Sequence, residues 1–152
     1  MADERTESTR PQLRLVRMYV KDLSFENPNA PSVFLEKAAP KAELNLRVRN
    51  RRIDAEHWEV VIELTATVRA GDQVAFIAEI EHAGLFLVRH VPEDKLPAVL
   101  AVDCPTQLFP FTRQILCQAV VDGGFPPFLL EPVNFLAMYR AARERPGPAP
   151  TH

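Results

Sequence analysis

The run Trp58-Glu59-Val60-Val61-Ile62-Glu63-Leu64-Thr65-Ala66-Thr67-Val68-Arg69 decides the fold. Its even-numbered residues are all apolar, and most of its odd-numbered residues are polar. Because the side chains of a strand point alternately to opposite faces, this pattern predicts a long strand with one dry face and one wet face. The alternation continues through residues 74–81 after a Gly71-Asp72 turn, which predicts a second strand antiparallel to the first.

Two further segments upstream of this run alternate in the same way. Residues 41–50 predict a half-buried strand, and residues 13–26 predict another whose apolar parity switches near Lys21 and Asp22. Such a switch indicates a bulge, because an extra residue moves the following side chains to the other face. A long crossing loop from Asn27 to about Pro40 separates these two strands. The four strands together predict an antiparallel meander with one dry face.

Helical spacing replaces the alternation beyond Gly84. A short helical piece is predicted over residues 92–102, and a longer helix from about Pro105 to Val121 ends at Gly123-Gly124. The longer helix is apolar on nearly every side, and such a helix is normally buried all round. This pattern favours a homo-oligomer in which the helix packs on copies of itself. The predicted interface residues are Leu108, Phe109, Phe111, Ile115, Leu116 and Ala119.

The segment Gly123–Phe135 is apolar but contains prolines at positions 126, 127 and 132. Proline lacks a backbone donor, so this strip must run extended outside any regular helix or central strand. It can wall a groove together with the crossing loop that carries Phe34, or it can plug the rim of the sheet. The residues alone leave both interpretations open. Pro132 is predicted to open a last helix from Val133 to about Arg143.

Composition places the chain among soluble globular proteins. It has 152 residues, of which 47% are hydrophobic and 25% are charged. Eighteen Lys and Arg against twenty Asp and Glu give a net charge of −2, which disfavours nucleic acid as a partner. The sequence shows no secretory signal and no apolar run of membrane-spanning length, so we expect a cytoplasmic protein without membrane insertion. The predicted organisation is a disordered tail at 1–12, one domain at 13–143 and a disordered tail at 144–152.

The chain carries no pattern typical of catalysis or metal binding. The four histidines lack metal-ligand spacing, Cys104 and Cys117 are isolated, and no phosphate-binding or nucleophile motif occurs. The sequence therefore predicts no enzyme activity, no cofactor and no metal. The wet face is acidic around Ile77, and it is either a solvated surface or a docking site for a basic segment. Its acids are Asp22, Glu26, Glu59, Glu63, Glu79 and Glu81.

Three stretches of this chain resemble the SecB protein-export chaperone family. They are Tyr19-Val-Lys-Asp-Leu-Ser-Phe-Glu-Asn-Pro-Asn-Ala-Pro31, Asp103-Cys-Pro-Thr-Gln-Leu-Phe-Pro-Phe-Thr-Arg113 and Gly123-Gly-Phe-Pro-Pro-Phe-Leu-Leu-Glu-Pro-Val-Asn-Phe135. They occur in the family's order and spacing, and the likeness runs from about Leu13 to Tyr139. The chain departs from the family at Ala38-Ala39, where a tryptophan is common, and in its proline-rich tail.

The resemblance implies an α+β fold assembled as a tetramer, a dimer of dimers. It implies an ATP-independent holdase that keeps secretory or outer-membrane precursors unfolded and passes them to the motor ATPase SecA. It implies a SecA contact at Asp22, Glu26, Ile77 and Glu79. With the strip as a wall, the expected client groove comprises Phe34, Phe76, Leu85, Phe86, Phe125, Pro126, Phe128, Leu129, Leu130, Val133 and Phe135.

Two other functions remain open on the sequence. A SecB-like chaperone can serve a toxin–antitoxin pair instead of export, and SecA binding would distinguish the two roles. A carrier of small apolar ligands is also compatible with the apolar strip. Such a carrier would need an enclosed pocket rather than an open groove.

Overall fold

The computed structural model describes residues 9–144 and has an α+β fold, a four-stranded antiparallel sheet with helices on one face. None of the helices in this range has the length and hydropathy of a membrane span. Gln12, predicted to lie in the N-terminal tail, already belongs to the first strand. Residues 1–8 and 145–152 of the two predicted tails lie outside the described range. The strands are β1 (Gln12–Glu26), β2 (Pro40–Arg52), β3 (His57–Ala70) and β4 (Gln73–Arg89).

The strand order in the sheet is β1-β4-β3-β2. Strands β2, β3 and β4 form the predicted meander, but a meander of all four strands is wrong, because β1 pairs with β4. The crossing loop carries the chain from β1 at one edge to β2 at the other, which gives a Greek-key arrangement. This pairing covers both edges of β4, an apolar strand buried along most of its length. The loop contains a short 3-10 helix at Ser32–Leu35.

Two register shifts interrupt the pairing of β1 with β4. The first falls between Leu15 and Arg17, and the second, between Val20 and Asp22, confirms the predicted bulge. After the second shift, Leu23 pairs with Ile80 and Phe25 with Ala78. Because Ile80 and Ala78 belong to the core, the bulge brings the end of β1 onto the helical side of the sheet.

A third shift alters the start of β4. Val68 pairs with Phe76, but Arg69 pairs with Val74, so Ala75 is an extra residue in β4. The alternation over residues 74–81 predicts Ala75 on the wet face together with Ile77 and Glu79, and for Ala75 that prediction is wrong. The bulge turns Ala75 into the core beside Phe76. Strand β4 also continues past Gly84 to Arg89, farther than the sequence predicted.

The helical material begins with a turn at Leu96–Ala98 and a π-helical turn at Val99–Asp103. These lead directly into α1, Cys104–Asp122, and a second long helix, α2, spans Phe135–Glu144. The predicted start of α2 at Pro132–Val133 is wrong. Asn134 begins the helix instead, since its Oδ1 accepts a hydrogen bond of 2.9 Å from the backbone N of Ala137.

Helix α1 packs on β3 and β4 with one face, and that face is fully buried. Leu108, Phe109 and Leu116 lie on it, so their side chains are covered within a single protomer. Their prediction as oligomer contacts is corrected by this packing, since side chains of the same protomer already cover them, the Phe135 ring of α2 at 5.8 Å in the case of Phe109. Phe111, by contrast, is 44% exposed. With the half-buried Ile115 and Ala119 it lies on the side of α1 that the sheet leaves uncovered.

Candidate functional site

An apolar groove of about 610 Å³ lies where the strip crosses the ends of β3 and β4. One wall is the strip itself, and the opposite wall is the crossing loop with the start of β2. The floor is the β3–β4 hairpin. The lining residues are Val33, Phe34, Glu36, Ala38, Pro40, Ala42, Val68, Ala70, Ala75, Phe76, Gly124, Phe125, Pro126, Pro127 and Phe128.

A cluster of five phenylalanines forms the end of the groove. Phe76 is central, with ring centroids 4.9 Å from Phe125, 5.5 Å from Phe25 and 6.0 Å from Phe128. Phe34 from the crossing loop joins through Phe125 at 5.2 Å. Each aromatic pair adds about 0.5–1.5 kcal/mol beyond its buried area. The cluster therefore fixes both walls of the groove onto the sheet.

The two glycines that end α1 allow this packing. A Cβ on Gly123 would lie 2.3 Å from the Phe25 ring, so only glycine fits there without displacing that ring. Gly124 has φ +97°, a left-handed conformation that disfavours other residues, and its Cα passes close to Phe34. The predicted end of α1 at Gly123-Gly124 is confirmed. The close packing of these two glycines also sets the distance between the strip and the crossing loop.

The strip is extended, as its prolines predict. The Phe125 backbone N donates to Val120 O at 3.2 Å, and no backbone–backbone hydrogen bond involves residues 126–133 in the described structure. The Arg113 guanidinium reaches Leu130 O at 3.5 Å. Side-chain packing therefore holds this wall, which leaves its backbone polar groups free to meet a ligand.

The structure brings together five of the predicted groove residues and places others beside them. Phe34, Phe76, Phe125, Pro126 and Phe128 line the groove. The next three predicted positions continue the strip into the core: Leu130 and Phe135 are buried, and Val133 packs against them as a partly buried residue.

Three predicted groove residues lie elsewhere. Leu85 faces the opposite side of the sheet, where it pairs with Arg17 and Glu59, since β4 alternates and Phe86 points to the core. Phe86 is completely buried within the protomer. Leu129 is 87% exposed and borders α1 on the other side of the strip. The reason is common to all three: apolar character alone does not reveal which face a residue takes.

Sequence reasoning missed the small residues of the groove. Ala38, Ala42, Ala70 and Ala75 line it, and their small side chains leave room that larger ones would fill. The alternation of β2 had placed Ala42 on the dry face, which was a usable signal. The Ala75 contribution depends on a bulge that the pattern does not show. Ala38, on the crossing loop, likewise fills little of the groove.

The residues predicted to contact SecA lie together on the outer face, opposite the helices. Ser24 pairs with Glu79, and Glu26 pairs with Ile77, while Asp22 precedes them along β1. All of these side chains follow the parity of the outer face. Strand register thus gathers Asp22, Glu26, Ile77 and Glu79 into one patch across two neighbouring strands.

Cationic side chains neutralise the other acids of this face. Glu59 accepts a bond of 2.6 Å from the Tyr19 hydroxyl and ion-pairs with Lys21 at 3.1 Å and Arg51 at 3.3 Å. Within residues 9–144, Asp22, Glu26 and Glu79 have no such partner. The six acids predicted by alternation therefore reduce to three with uncompensated charge. The remaining pairs are Glu63 with Arg47 and Arg49, and Glu81 with Arg49.

Glu59 keeps its charge although it is only 3% exposed. Burial acts to raise the pKa of Glu59, but hydrogen bonds from Tyr19 and Lys21 and the Arg51 charge together lower it below its ordinary value. The pKa of Tyr19 rises to about 12, first by burial and then by its bond to this carboxylate. Tyr19 therefore remains a donor at neutral pH, and Glu59 is a structural acid rather than a docking charge.

Residues 9–144 contain no group of His, Cys, Asp and Glu arranged to hold a metal ion. Both cysteines are free, with Cys104 buried in the core and Cys117 half-buried on α1. Burial raises the pKa of the Cys104 thiol to about 12, so it behaves as a small apolar side chain.

An open apolar groove walled by aromatic side chains is the kind of surface on which peptide segments dock. Comparison with known proteins agrees. A family model described as preprotein translocase subunit SecB matches residues 6–146. The chain belongs to the SecB family.

Several curated relatives carry the name protein-export protein SecB. The protein from Desulfotalea psychrophila is 54% identical, over 91% of both chains. That from Magnetococcus marinus is 43% identical over 89% of this chain and 87% of its own. That from Thiobacillus denitrificans is 38% identical over 97% of this chain and 99% of its own. The likeness thus covers nearly the full length of each relative.

A solved structure shares the fold at low sequence identity. It is the Mycobacterium tuberculosis SecB-like chaperone Rv1957 in complex with a ChAD peptide from the Rv1956 HigA1 antitoxin. The TM-score is 0.66 at 19% identity, and the match covers 88% of this chain and 97% of the other.

Proposed function

We propose that this protein is an ATP-independent holdase that binds unfolded precursor proteins in the cytoplasm and delivers them to SecA for export. The observation that carries the proposal is the groove, in which Phe34, Phe125 and Phe128 present aromatic surface above the buried Phe76, beside a strip whose backbone is free of strand pairing. Apolar side chains of an extended client would pack on the rings. A chaperone that binds only the unfolded state of its client delays the folding of that client by mass action, and it needs no nucleotide to do so.

The exposed rim supports a polypeptide client over a small apolar ligand. Phe34, Pro126 and Pro127 line the groove and remain exposed to solvent. Sites for small apolar ligands bury most of the ligand surface inside a cavity. An open groove lets an extended chain bind without being enclosed, so segments of many sequences can bind.

A homotetramer, a dimer of dimers, is part of the proposal. In the described range, β1 is an edge strand with no neighbour on its outer side, and its Val20 is 42% and its Leu23 43% exposed. Phe111 and Ile115 of α1 border the same region. A long apolar edge strand invites pairing with another chain, and closed symmetry lets identical surfaces cover each other.

Assembly would place several grooves on one particle. A long unfolded client could then occupy two or more grooves, and each additional contact would become intramolecular. Weak individual contacts with little sequence preference would sum to tight retention. We therefore infer that tetramer formation and client affinity are coupled.

Support for an export role comes from the named relatives. The proteins called protein-export protein SecB are 38–54% identical to this chain over most of their length. The antitoxin-bound SecB-like chaperone is 19% identical, which is a likeness of fold. Its bound peptide nevertheless supports the general expectation that a SecB fold binds polypeptide segments. SecA binding is the measurement that distinguishes the two roles.

Reversing two charges of the uncompensated acidic patch should abolish SecA binding. We expect the double variant Asp22→Lys and Glu79→Lys to lose at least about tenfold in affinity, because a repulsive contact replaces an attractive one with a basic SecA segment. The loss should shrink as salt is raised, since exposed charges are screened. Titration of labelled SecA at low and high salt measures both effects.

The matched control is Glu93→Lys with Asp94→Lys, which changes the net charge equally but lies in the loop before the first helical turn. We expect SecA affinity within about twofold of the parent. Equal losses in both double variants would contradict the assignment of the patch. Wild-type protein that binds unfolded precursor but never SecA would favour the toxin–antitoxin role.

A further inference from the structure

His82 is a polar side chain in an apolar part of the core. It lies on β4 between Val20 of β1 and Ile62 of β3, its partners in the two ladders. Only 2% of its surface is exposed. Its Nδ1 lies 2.7 Å from the Oγ1 of the buried Thr112 on α1. This bond ties the sheet to the helix that packs on it.

The hydrogen bonds of Thr112 are linked to the tautomer of the histidine ring. The Thr112 hydroxyl donates to Leu108 O at 3.2 Å, which uses its single proton. While that bond holds, Thr112 Oγ1 accepts the proton on His82 Nδ1. In the neutral ring this leaves Nε2 as an acceptor with a free lone pair.

Nε2 opens into a cavity of about 640 Å³ between β1 and α1. Nε2 has no hydrogen-bond partner in the described range. Within that range, Asn27 Oδ1 is the only unpartnered side-chain N or O atom that is fully covered. His82 Nε2 is therefore not fully covered and still reaches the cavity surface. The rest of the lining is largely apolar. It consists of Met18, Tyr19, Val20, Leu23, Phe111, Gln114, Ile115, Gln118, Ala119 and Asp122.

We propose that a second copy of this chain covers the cavity, that neutral His82 accepts a hydrogen bond from that copy, and that a proton on His82 opens the assembly. The inference rests on the proposed assembly. We take the occupant to be a second copy because the cavity is continuous with the surface of the proposed assembly: it is bordered by the unpaired edge of β1 and by the exposed Phe111 of α1. A monomer would leave this apolar surface in water.

In residues 9–144 no ion pair joins His82 to a group around the cavity, and burial is the cause that lowers its pKa. From β1, the Tyr19 hydroxyl donates to Glu59 Oε2 at 2.6 Å. From α1, Asp122 Oδ1 accepts from Gln118 at 2.8 Å. The β3 neighbour Ile62 cannot ionise. A protonated ring would therefore be an unpaired charge in a covered apolar site, which is costly.

The direction of the pH effect follows from this cost. Burial lowers the pKa of His82 below its ordinary value, and cover by a second copy would lower it further. The separated protomer then binds more protons than the assembly as the pH falls through its own lowered His82 pKa, which lies below the ordinary value of about 6.5. The assembly is thus stable at neutral pH and weakens on acidification.

Sedimentation velocity at pH 7.5 and pH 5.5 tests the proposal. For the parent we expect the dissociation constant to rise about tenfold or more at the lower pH. His82→Gln keeps a donor for Thr112 but cannot take a proton, and its dissociation constant should change less than about twofold. His57→Gln is the control, since His57 pairs with Asp54 at 2.8 Å away from the cavity, and it should behave as the parent.

An assembled protein whose pH response is absent, or is the same in His82→Gln as in the parent, would overturn this proposal and leave the assembly intact. A monomer at both pH values would overturn the proposed assembly, and this inference with it. NMR titration of the ring gives an independent reading. A His82 pKa at or above about 6.5 in the assembled protein would also overturn the proposal.

Discussion

Phe34→Asp is expected to reduce the affinity of the protein for an unfolded polypeptide by about tenfold to a hundredfold. Burying one aromatic side chain contributes roughly 1.5–3 kcal/mol, and each 1.4 kcal/mol is a factor of ten. Phe34 lines the groove and contacts Phe125, so aspartate would remove an aromatic wall and add a charge beside an apolar client. Fluorescence anisotropy of a labelled, reduced precursor without ATP measures the loss.

The neighbouring Leu35 supplies the matched control. It follows Phe34 on the same 3-10 helix, is 83% exposed and does not line the groove. Leu35→Asp introduces the same charge at nearly the same place and should leave client affinity within about twofold of the parent. Similar losses for the two variants would show that clients are repelled by charge on the loop in general, and the groove assignment would fail.

Leu108→Ala is expected to lower the free energy of unfolding by about 2–5 kcal/mol, the range for truncating a fully buried leucine. Leu108 is completely buried beneath α1, and its Cδ2 lies 2.8 Å from the position that a Cβ on Gly84 would take. The packing at this point is therefore tight, and a cavity there cannot collapse easily. Urea unfolding followed by circular dichroism measures the change.

Phe111→Ala provides the contrast on the same helix. Because Phe111 faces away from the sheet, its truncation should weaken association rather than the protomer fold. Association makes the unfolding midpoint depend on protein concentration, so the deficit of Phe111→Ala should shrink as concentration rises. The Leu108→Ala deficit should persist at every concentration. A concentration-independent loss for Phe111→Ala would place that ring in the protomer core.

Much of the candidate site followed from local patterns. Alternation placed Phe76 on the dry face, three prolines kept the strip extended, and the glycine pair ended α1 where predicted. The misplacement of Leu85 and Leu129 shows the limit of such reasoning. Each is apolar, but one faces the far side of the sheet and the other stands in solvent. The apolar character of a residue shows that it can be buried, but it does not show which other parts of the protein will cover it.

The sequence by itself determined the strands, the bulge near Lys21 and the SecB resemblance, because these depend on periodicity and spacing along the chain. Only the tertiary structure decided that β1 joins β4, that Leu108 is core while Phe111 is exposed, and that three acids keep uncompensated charge. Those outcomes depend on contacts between residues far apart in the chain. Arg49, for example, neutralises Glu63 and Glu81 across three strands. Strand order creates that contact, and no local pattern contains it.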